Sequence, residues 1–476
     1  MLSSKYTNIF FLFSLLYLSI NARKLIFVYE HARHGARGPS SSYGAILNNG
    51  VDEYGVDWGT DGELSQIGKR QHYFLGVRNR IKYKGLIDFD KYNPKQILIH
   101  ATDYNRTHQS ILSELYGMYE GMKEAELVGN ETDYNMVNEG YMQKCNNDLY
   151  GKIKEELVDV GAKVNKFSFP VFNVHKFPDK RIFLVDDCIK IKNYRDEKVG
   201  DVVKQYIKDF DDEFAGAFYN FTNKTADYFH LYDIMKSITD HFICDYDNKR
   251  DLSHIAAQGL NLTRFYNFSK SFYGHFIFNY FIDEYTSGLE ETHLMQDLLG
   301  YMDNRIRFGD VETYKAPKMV MDCGHDTTVG PIARFLGASF NKPYHAFCEF
   351  ACNIFIELYE EGGGKYSVDY YLDDELIFER VDYDEFKQTL EAHFWNDSYV
   401  DEFCGRKEDS DITNKSKLSD YANLLFMISI VSTILFLIFI TSTIVIFRRL
   451  KKLQKKLQEN PLLNEEMEGS ELPVLT

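Results

Sequence analysis

Proline is scarce in this chain, nine residues in 476, and glycine numbers 31. That excludes collagen-like and proline-rich architectures. Positive charge is also short: 54 Lys and Arg stand against 71 Asp and Glu, a net −17 at pH 7. General nucleic-acid binding needs a basic face, so no nucleic-acid partner is expected. Neither a Cys-x-x-Cys pair nor a His-Glu-x-x-His motif occurs, so no metal site and no cofactor is read from the sequence. Internal repeats and low-complexity tracts are absent. Mean hydropathy is slightly polar, which excludes a polytopic membrane protein. What remains is rich in core material, 44% apolar and 15% aromatic, enough for one large or two medium globular units.

The two ends are the apolar exceptions. Lys5 precedes an apolar run from Ile9 to Ile20, with Ala22 beyond it, and this layout predicts a cleaved secretory signal peptide over residues 1–22. No charge occurs in the 27 residues 421–447, which is longer than the roughly 20 apolar residues a bilayer core requires. Six Lys and Arg follow at once within residues 448–456, and they assign that side to the cytoplasm. The expectation is a single-pass type I membrane protein with a stalk over 406–420, a transmembrane helix over 421–447 and a cytoplasmic tail over 448–476. Its bulk would be lumenal or extracellular, in a lysosome-like compartment or at the cell surface. Leu462-Leu463 is off the acidic dileucine spacing, so the tail reads as solvated. The lumenal part carries 47 basic and 66 acidic residues, a charge of −19 that diminishes in an acidic compartment.

Eight Asn-x-Ser/Thr sequons, at Asn105, Asn130, Asn220, Asn223, Asn261, Asn267, Asn396 and Asn414, lie on the lumenal side and predict a glycoprotein. All seven cysteines are lumenal too. Most should pair in an oxidising compartment, one is left over, and the connectivity is open.

Lys24–Tyr29 (KLIFVY) reads as a buried strand running into a polar, glycine-containing loop. Leu64–Lys82 has the spacing of an amphipathic helix. Gln96–His100 is a second strand, residues 108–122 are helical, and Lys318–Asp322 is a third strand. Asn353–Tyr359 and Tyr366–Tyr371 flank EEGGGK as a hairpin. Residues 126–310 lack clean strands and read as a mainly helical insertion. The expected fold class is α/β, a sheet covered by helices, split into core segments 23–125 and 311–405 by that insertion.

Each of the three strands leads into a polar cluster, where open α/β sheets hold their ligands. After the first comes Arg33-His34-Gly35-Ala36-Arg37-Gly38-Pro39. Arg forks match phosphate oxygens and stay charged at every physiological pH. A histidine between them is suited to attack phosphorus while they neutralise the developing charge. After the second strand Arg106 adds another guanidinium. After the third stands His325-Asp326, a carboxyl suited to protonating a leaving oxygen. Alone each motif has an ordinary structural explanation; on three strand ends of one sheet they form a set.

RHGARGP with a distal His-Asp pair, and DGELSQIGKRQHYFLG and ATDYNRT between them, resembles the histidine acid phosphatase family across roughly residues 24–400. The resemblance implies a phosphoglycerate mutase-like core with an inserted helical cap. It implies His34 as the nucleophile that forms a phosphohistidine, and Arg33, Arg37, Arg106 and His325 as phosphate ligands. Asp326 would be the proton donor, which accounts for an acid optimum. A small phosphomonoester is the implied substrate, with broad specificity. The oligomeric state is open, a homodimer being the candidate assembly. Gly38 stands where the phytase branch carries a bulky residue, and His100 where acid phosphatases often carry Arg. The resemblance pairs Cys352 with Cys188. Cys323, two residues before His325, is the expected unpaired thiol, and Asn105, inside the phosphate motif, is expected to carry no glycan. Two alternatives stand beside this reading: an inositol polyphosphate phosphatase, which needs a more basic pocket, and a catalytically silent receptor ectodomain, which should lack the nucleophile or the acid.

Overall fold

The structure, a computed structural model, describes residues 23–40, 62–122, 169–174, 188–280, 284–342, 348–404, 442–452 and 455. Seven strands form one sheet in the order β3-β2-β4-β1-β5-β6-β7. They are β1 (Lys24–Arg33), β2 (Ile97–Thr102), β3 (Phe172–Val174), β4 (Met319–Gly324), β5 (Asn353–Gly362), β6 (Lys365–Leu372) and β7 (Glu375–Asp382). The first four in sheet order run parallel; β5, β6 and β7 are added antiparallel. The expected strands and the hairpin are therefore present. β3, which comes from the stretch read as helical, adds an edge strand beside β2.

Helices cover both faces. Helices α1 (Gln66–Tyr83) and α2 (Asn105–Met118) lie on one side, where Leu75, Tyr83, Ile111 and Leu115 pack against Val28, Ile99 and Met321. Between β3 and β4 the longer helices are α3 (Ile189–Glu213), α4 (Ala215–Thr222), α5 (Tyr232–Asp247), α6 (Leu262–Tyr280) and α7 (Glu284–Phe308). The other face of the sheet is covered by α7, α8 (Asp326–Ser339) and α9 (Tyr383–Glu391), with Leu298, Ile332 and Phe386 against Phe27 and Ile356. A short α10 (Asp397–Phe403) follows. Alternation of side chains on a strand explains the division: Phe27 and Tyr29 face one layer, Val28 and Ala32 the other.

Helices α3 to α6 enclose a separate core built largely of phenylalanine. Phe210, Phe214, Phe218, Phe229, Phe242, Phe265 and Phe272 are all buried. Paired ring centroids lie 4.8–6.4 Å apart in tilted and edge-to-face arrangements, for example Phe242–Phe265 at 4.8 Å, Phe218–Phe265 at 4.9 Å and Phe210–Phe214 at 6.4 Å. Each such ring contributes about 1.5–3 kcal/mol through burial.

Two disulfides join described residues, Cys188–Cys404 and Cys348–Cys352. The expected Cys188–Cys352 bond is not formed. Cys188, at the start of α3, meets Cys404 at the end of α10 with a Cα separation of 4.5 Å, and Cys352 finds its partner four residues upstream, Cα to Cα 5.7 Å. Both spacings are within disulfide reach. Cys323 is a free, buried thiol as expected, and Cys244 is a second. Cys145, the signal segment 1–22, the sequons at Asn130 and Asn414, and residues 421–441 of the apolar run lie outside the described residues. Residues 442–452 are helical, in a unit (406–476) distinct from the rest of the chain. Among the described residues no helix is long and apolar enough to cross a membrane.

Candidate active site

β1 runs four residues beyond the expected end at Tyr29, through Glu30 and His31 to Arg33. Both added polar side chains are essentially inaccessible, at 1% and 0%. They are tolerated because each has polar partners, without which burial costs several kcal/mol. The loop that follows is pinned between two strands: Arg33 N donates to Cys352 O, His34 N to Gly324 O, and Ala351 N to His34 O, at 2.9–3.1 Å. Helix α1 presses on it from below. A Cβ on Gly35 would stand 2.4 Å from Gly68 O, and one on Gly68 would stand 2.1 Å from Ala36 O. Gly35 is thus required for close backbone approach. Ser65 completes the contact, capping α1 at Gly68 N and donating to Ala36 O.

β1, β2 and β4 are parallel, and their carboxyl ends deliver the three clusters to one place. His34 is 2% exposed, and its Nδ1 lies 2.8 Å from Gly35 O. A carbonyl only accepts, so Nδ1 carries the proton and Nε2 keeps its lone pair. Burial, then Arg106, Arg33, His325 and Arg37, hold the imidazole well below its usual range and hence neutral. The ring of His325 is 5.4 Å away, edge to face. Thr102 Oγ1 is 2.9 Å from His325 Nε2, and Arg106 Nη2 approaches its Nδ1 at 3.4 Å. Burial and then the Arg37 guanidinium push Arg106 down to about 10, and it stacks over Tyr104 at 4.4 Å. Asp326 opens α8, and its Oδ2 is 2.8 Å from Arg33 Nη2.

His34, Arg37, Arg106, His325 and Asp326 all border one cavity of about 360 Å³. Arg33 does not line it. It lies behind, 1% exposed, donating to Cys348 O and stacked 4.3 Å over Phe350. A larger, more open depression of about 570 Å³ near Arg80, Lys84, Gln96 and Lys318 is at the opposite, amino-terminal end of the parallel strands and holds none of these groups.

The profile of the histidine phosphatase superfamily (branch 2) matches residues 24–373. The chain belongs to that family. Lysosomal acid phosphatase of Xenopus laevis is 35% identical over 99 residues, 21% of this chain and 22% of the relative. Human prostatic acid phosphatase is 32% identical over 111 residues, 23% and 28%. The aligned stretches thus span under a third of these relatives. Among solved structures, Hafnia alvei phytase in complex with myo-inositol hexakis sulphate superimposes over 78% of this chain and 98% of its own, with TM-score 0.51 and 10% identity. This likeness concerns the fold alone.

The helical part supplies groups that the sequence leaves unmarked. Asp240 on α5 receives Arg37 through both guanidinium nitrogens, at 2.9 and 3.4 Å. Burial pushes the Asp240 carboxyl up, but Arg37, with Arg33 and Lys236, more than offsets it. One turn on, Cys244 Sγ is 3.3 Å from Arg37 Nη1, and after another turn Asn248 Nδ2 donates to Arg37 O at 2.8 Å. The spacing 240, 244, 248 is one helix face. Asp233, Lys236 and Tyr273 complete this wall of the cavity. On the floor, Thr328 Oγ1 bonds His31 Nε2 at 2.8 Å and accepts from His325 N at 2.9 Å. His31 leads on through Tyr29 to Asp322 and His100, at 3.1, 2.8 and 2.8 Å. The legible signal here was the Thr three residues after His325, a helix-capping spacing.

Proposed function

We propose that this protein is an acid phosphatase acting on phosphate monoesters through a phosphohistidine. The observation that carries the reading is His34 itself: neutral, with Nδ1 committed to Gly35 O, on a cavity it shares with two arginines, His325 and Asp326. Its Nε2 lone pair attacks phosphorus, a P–N bond forms and the ester P–O bond breaks. Asp326 passes its proton to the departing alkoxide. Water then attacks the phosphohistidine, Asp326 takes the proton, and the P–N electrons return to His34. Arg37, Arg106 and His325 hold the phosphate oxygens, and Arg33, buried behind the cavity, adds its positive charge. Phosphoryl transfer asks chiefly for such positioning and charge.

The relatives named as acid phosphatases support the activity, and the wall facing the phosphate site supports monoesters over polyphosphates. It sets Asp233 and Asp240 beside a single Lys236, a poor match to a polyanion such as an inositol polyphosphate. The wider layout belongs to the same proposal: signal 1–22, core 23–125 and 311–405, helical cap 126–310, stalk 406–420, transmembrane helix 421–447 and cytoplasmic tail 448–476. It describes a type I glycoprotein of a lysosome-like compartment or the cell surface.

The test is hydrolysis of p-nitrophenyl phosphate by the full-length chain from pH 3 to 8 with chelator present. Activity with an acid optimum, lost in His34→Ala, and weaker turnover of inositol hexakisphosphate are expected. No turnover by folded protein refutes the reading.

A further inference from the structure

On the α1–α2 side of β1, directly behind the Arg33–His34 turn, four polar side chains are closed off from solvent. Glu30, His72, Asn79 and Glu114 are each 0–1% exposed, and the reaction touches none of them. His72 Nε2 lies 3.0 Å from Arg33 O and Nδ1 lies 3.0 Å from Glu114 Oε2. Asn79 Nδ2 donates to Glu114 Oε1 at 2.8 Å and to Glu30 Oε2 at 3.0 Å.

Counting protons gives the arrangement its meaning. Arg33 O only accepts, so Nε2 must carry a hydrogen. Nδ1 faces a carboxyl oxygen, and that contact is attractive only if a second proton sits between them. A neutral imidazole has one N–H for two acceptors. If the carboxyl gives up its proton to solvent, either the Glu114 contact or the Arg33 contact becomes acceptor against acceptor. The groups facing the pair are Glu30 from β1, Arg78 from α1 and Cys323 from β4, with Tyr83 of α1 facing Glu30. Burial pushes Glu114 up to about 7, holds His72 down at about 4 and keeps Glu30 well above the carboxylate range. In acid the second proton is therefore on Glu114.

We propose that His72 and Glu114 form a proton-bearing strut that fixes the Arg33–His34 turn, and that loss of its proton slackens that turn. These are positioning residues; neither meets the substrate. The inference rests on the phosphatase reading of the site, but its geometry does not.

The experiment compares the full-length wild type with Glu114→Gln and His72→Phe on p-nitrophenyl phosphate from pH 4 to 9, with thermal midpoints at each pH. Gln offers His72 an N–H and Asn79 a carbonyl at every pH. Glu114→Gln should retain turnover at pH 5 within about twofold and move the alkaline limb of kcat up by roughly one pH unit or more. His72→Phe removes the donor to Arg33 and should lower kcat about tenfold or more while KM changes less than about threefold. If His72→Phe does not fold, His72→Gln, which keeps a donor, together with Glu114→Gln carries the test. An unchanged alkaline limb in Glu114→Gln, or wild-type kcat in His72→Phe, overturns the strut. Should the wild type turn over no phosphate ester, the phosphatase reading fails and the thermal midpoints decide the strut separately. The wild-type midpoint should then fall from pH 5 to 8 more than that of Glu114→Gln, and equal slopes refute it.

Discussion

The sheet and the helical part meet at one cavity but contribute unlike things. From the sheet come His34, Arg106, His325 and Asp326, each on or just past the end of a parallel strand, with backbone bonds to neighbouring strands fixing the loop. From the helices come Asp240, Lys236 and Tyr273, side chains on helix faces whose footing is a phenylalanine core. On the proposed reading, bond making and breaking falls to the strand ends, and holding Arg37 and selecting the alcohol to the helical wall. Changes on the sheet side should abolish chemistry in a folded protein, whereas changes on the helix side should alter binding or stability and leave the chemistry intact.

The largest expected effect is on the sheet side. His34→Ala should lose on the order of 10⁴-fold in kcat with an unaltered thermal midpoint, since nothing replaces the attacking nitrogen. Asp326→Ala should lose roughly 10²–10⁴-fold on an alkyl phosphate and much less on p-nitrophenyl phosphate, whose leaving group needs little protonation. A helix-side variant, Asp240→Ala, leaves the buried Arg37 without its bidentate partner. It should cost about 3–5 kcal/mol in stability and raise KM more than it lowers kcat. Phe265→Ala, deep in the helical core, should cost about 3–5 kcal/mol by chemical denaturation while the folded fraction keeps its kcat. An inactive but folded Phe265→Ala would break the division between the two parts.

Stability against pH sharpens the comparison through the buried carboxyls and imidazole behind the Arg33–His34 turn. Glu114 is raised to about 7 from 4.5, and Glu30 is raised too. The folded state binds both protons more tightly than the unfolded one, so both contributions are complete below pH 4.5; that of Glu114 is lost as pH climbs through about 7, and that of Glu30 as pH rises well above the carboxylate range. His72, lowered to about 4 from 6.5, acts in the opposite sense: its contribution is complete above 6.5 and is lost as pH falls through 4. Two carboxyls outweigh one imidazole, so unfolding free energy should decline from pH 5 to 8. A flat profile would contradict these protonation states.

The same division governs what the sequence reveals. The strand-end clusters are legible because Arg, His, Gly and Asp at tight spacing after an apolar run have few structural explanations, and the structure brings His34, Arg37, Arg106, His325 and Asp326 to one cavity. Glu30 and His31 are not legible as strand, since a polar pair after KLIFVY looks like a loop. Partners distant in sequence, Asn79 at one and Thr328 at the other, help make their burial tolerable. Asp240, Cys244 and Asn248 are equally silent, because polar residues four apart on a helix ordinarily face solvent. The disulfides escape for a related reason, as Cys188 and Cys404 are 216 residues apart and meet only once α3 and α10 are packed.

The central claim is that phosphorus passes through His34. Asp326→Asn mixed rapidly with p-nitrophenyl phosphate, then quenched and digested for mass spectrometry, tests it most directly. The aryl group leaves without an acid, while the water that must cleave the P–N bond lacks its base, so the intermediate should accumulate. One phosphoryl group is expected on the peptide bearing His34, labile to acid and stable to alkali. A phosphoryl group on a serine, cysteine or carboxylate, or turnover with none on the protein, would contradict it.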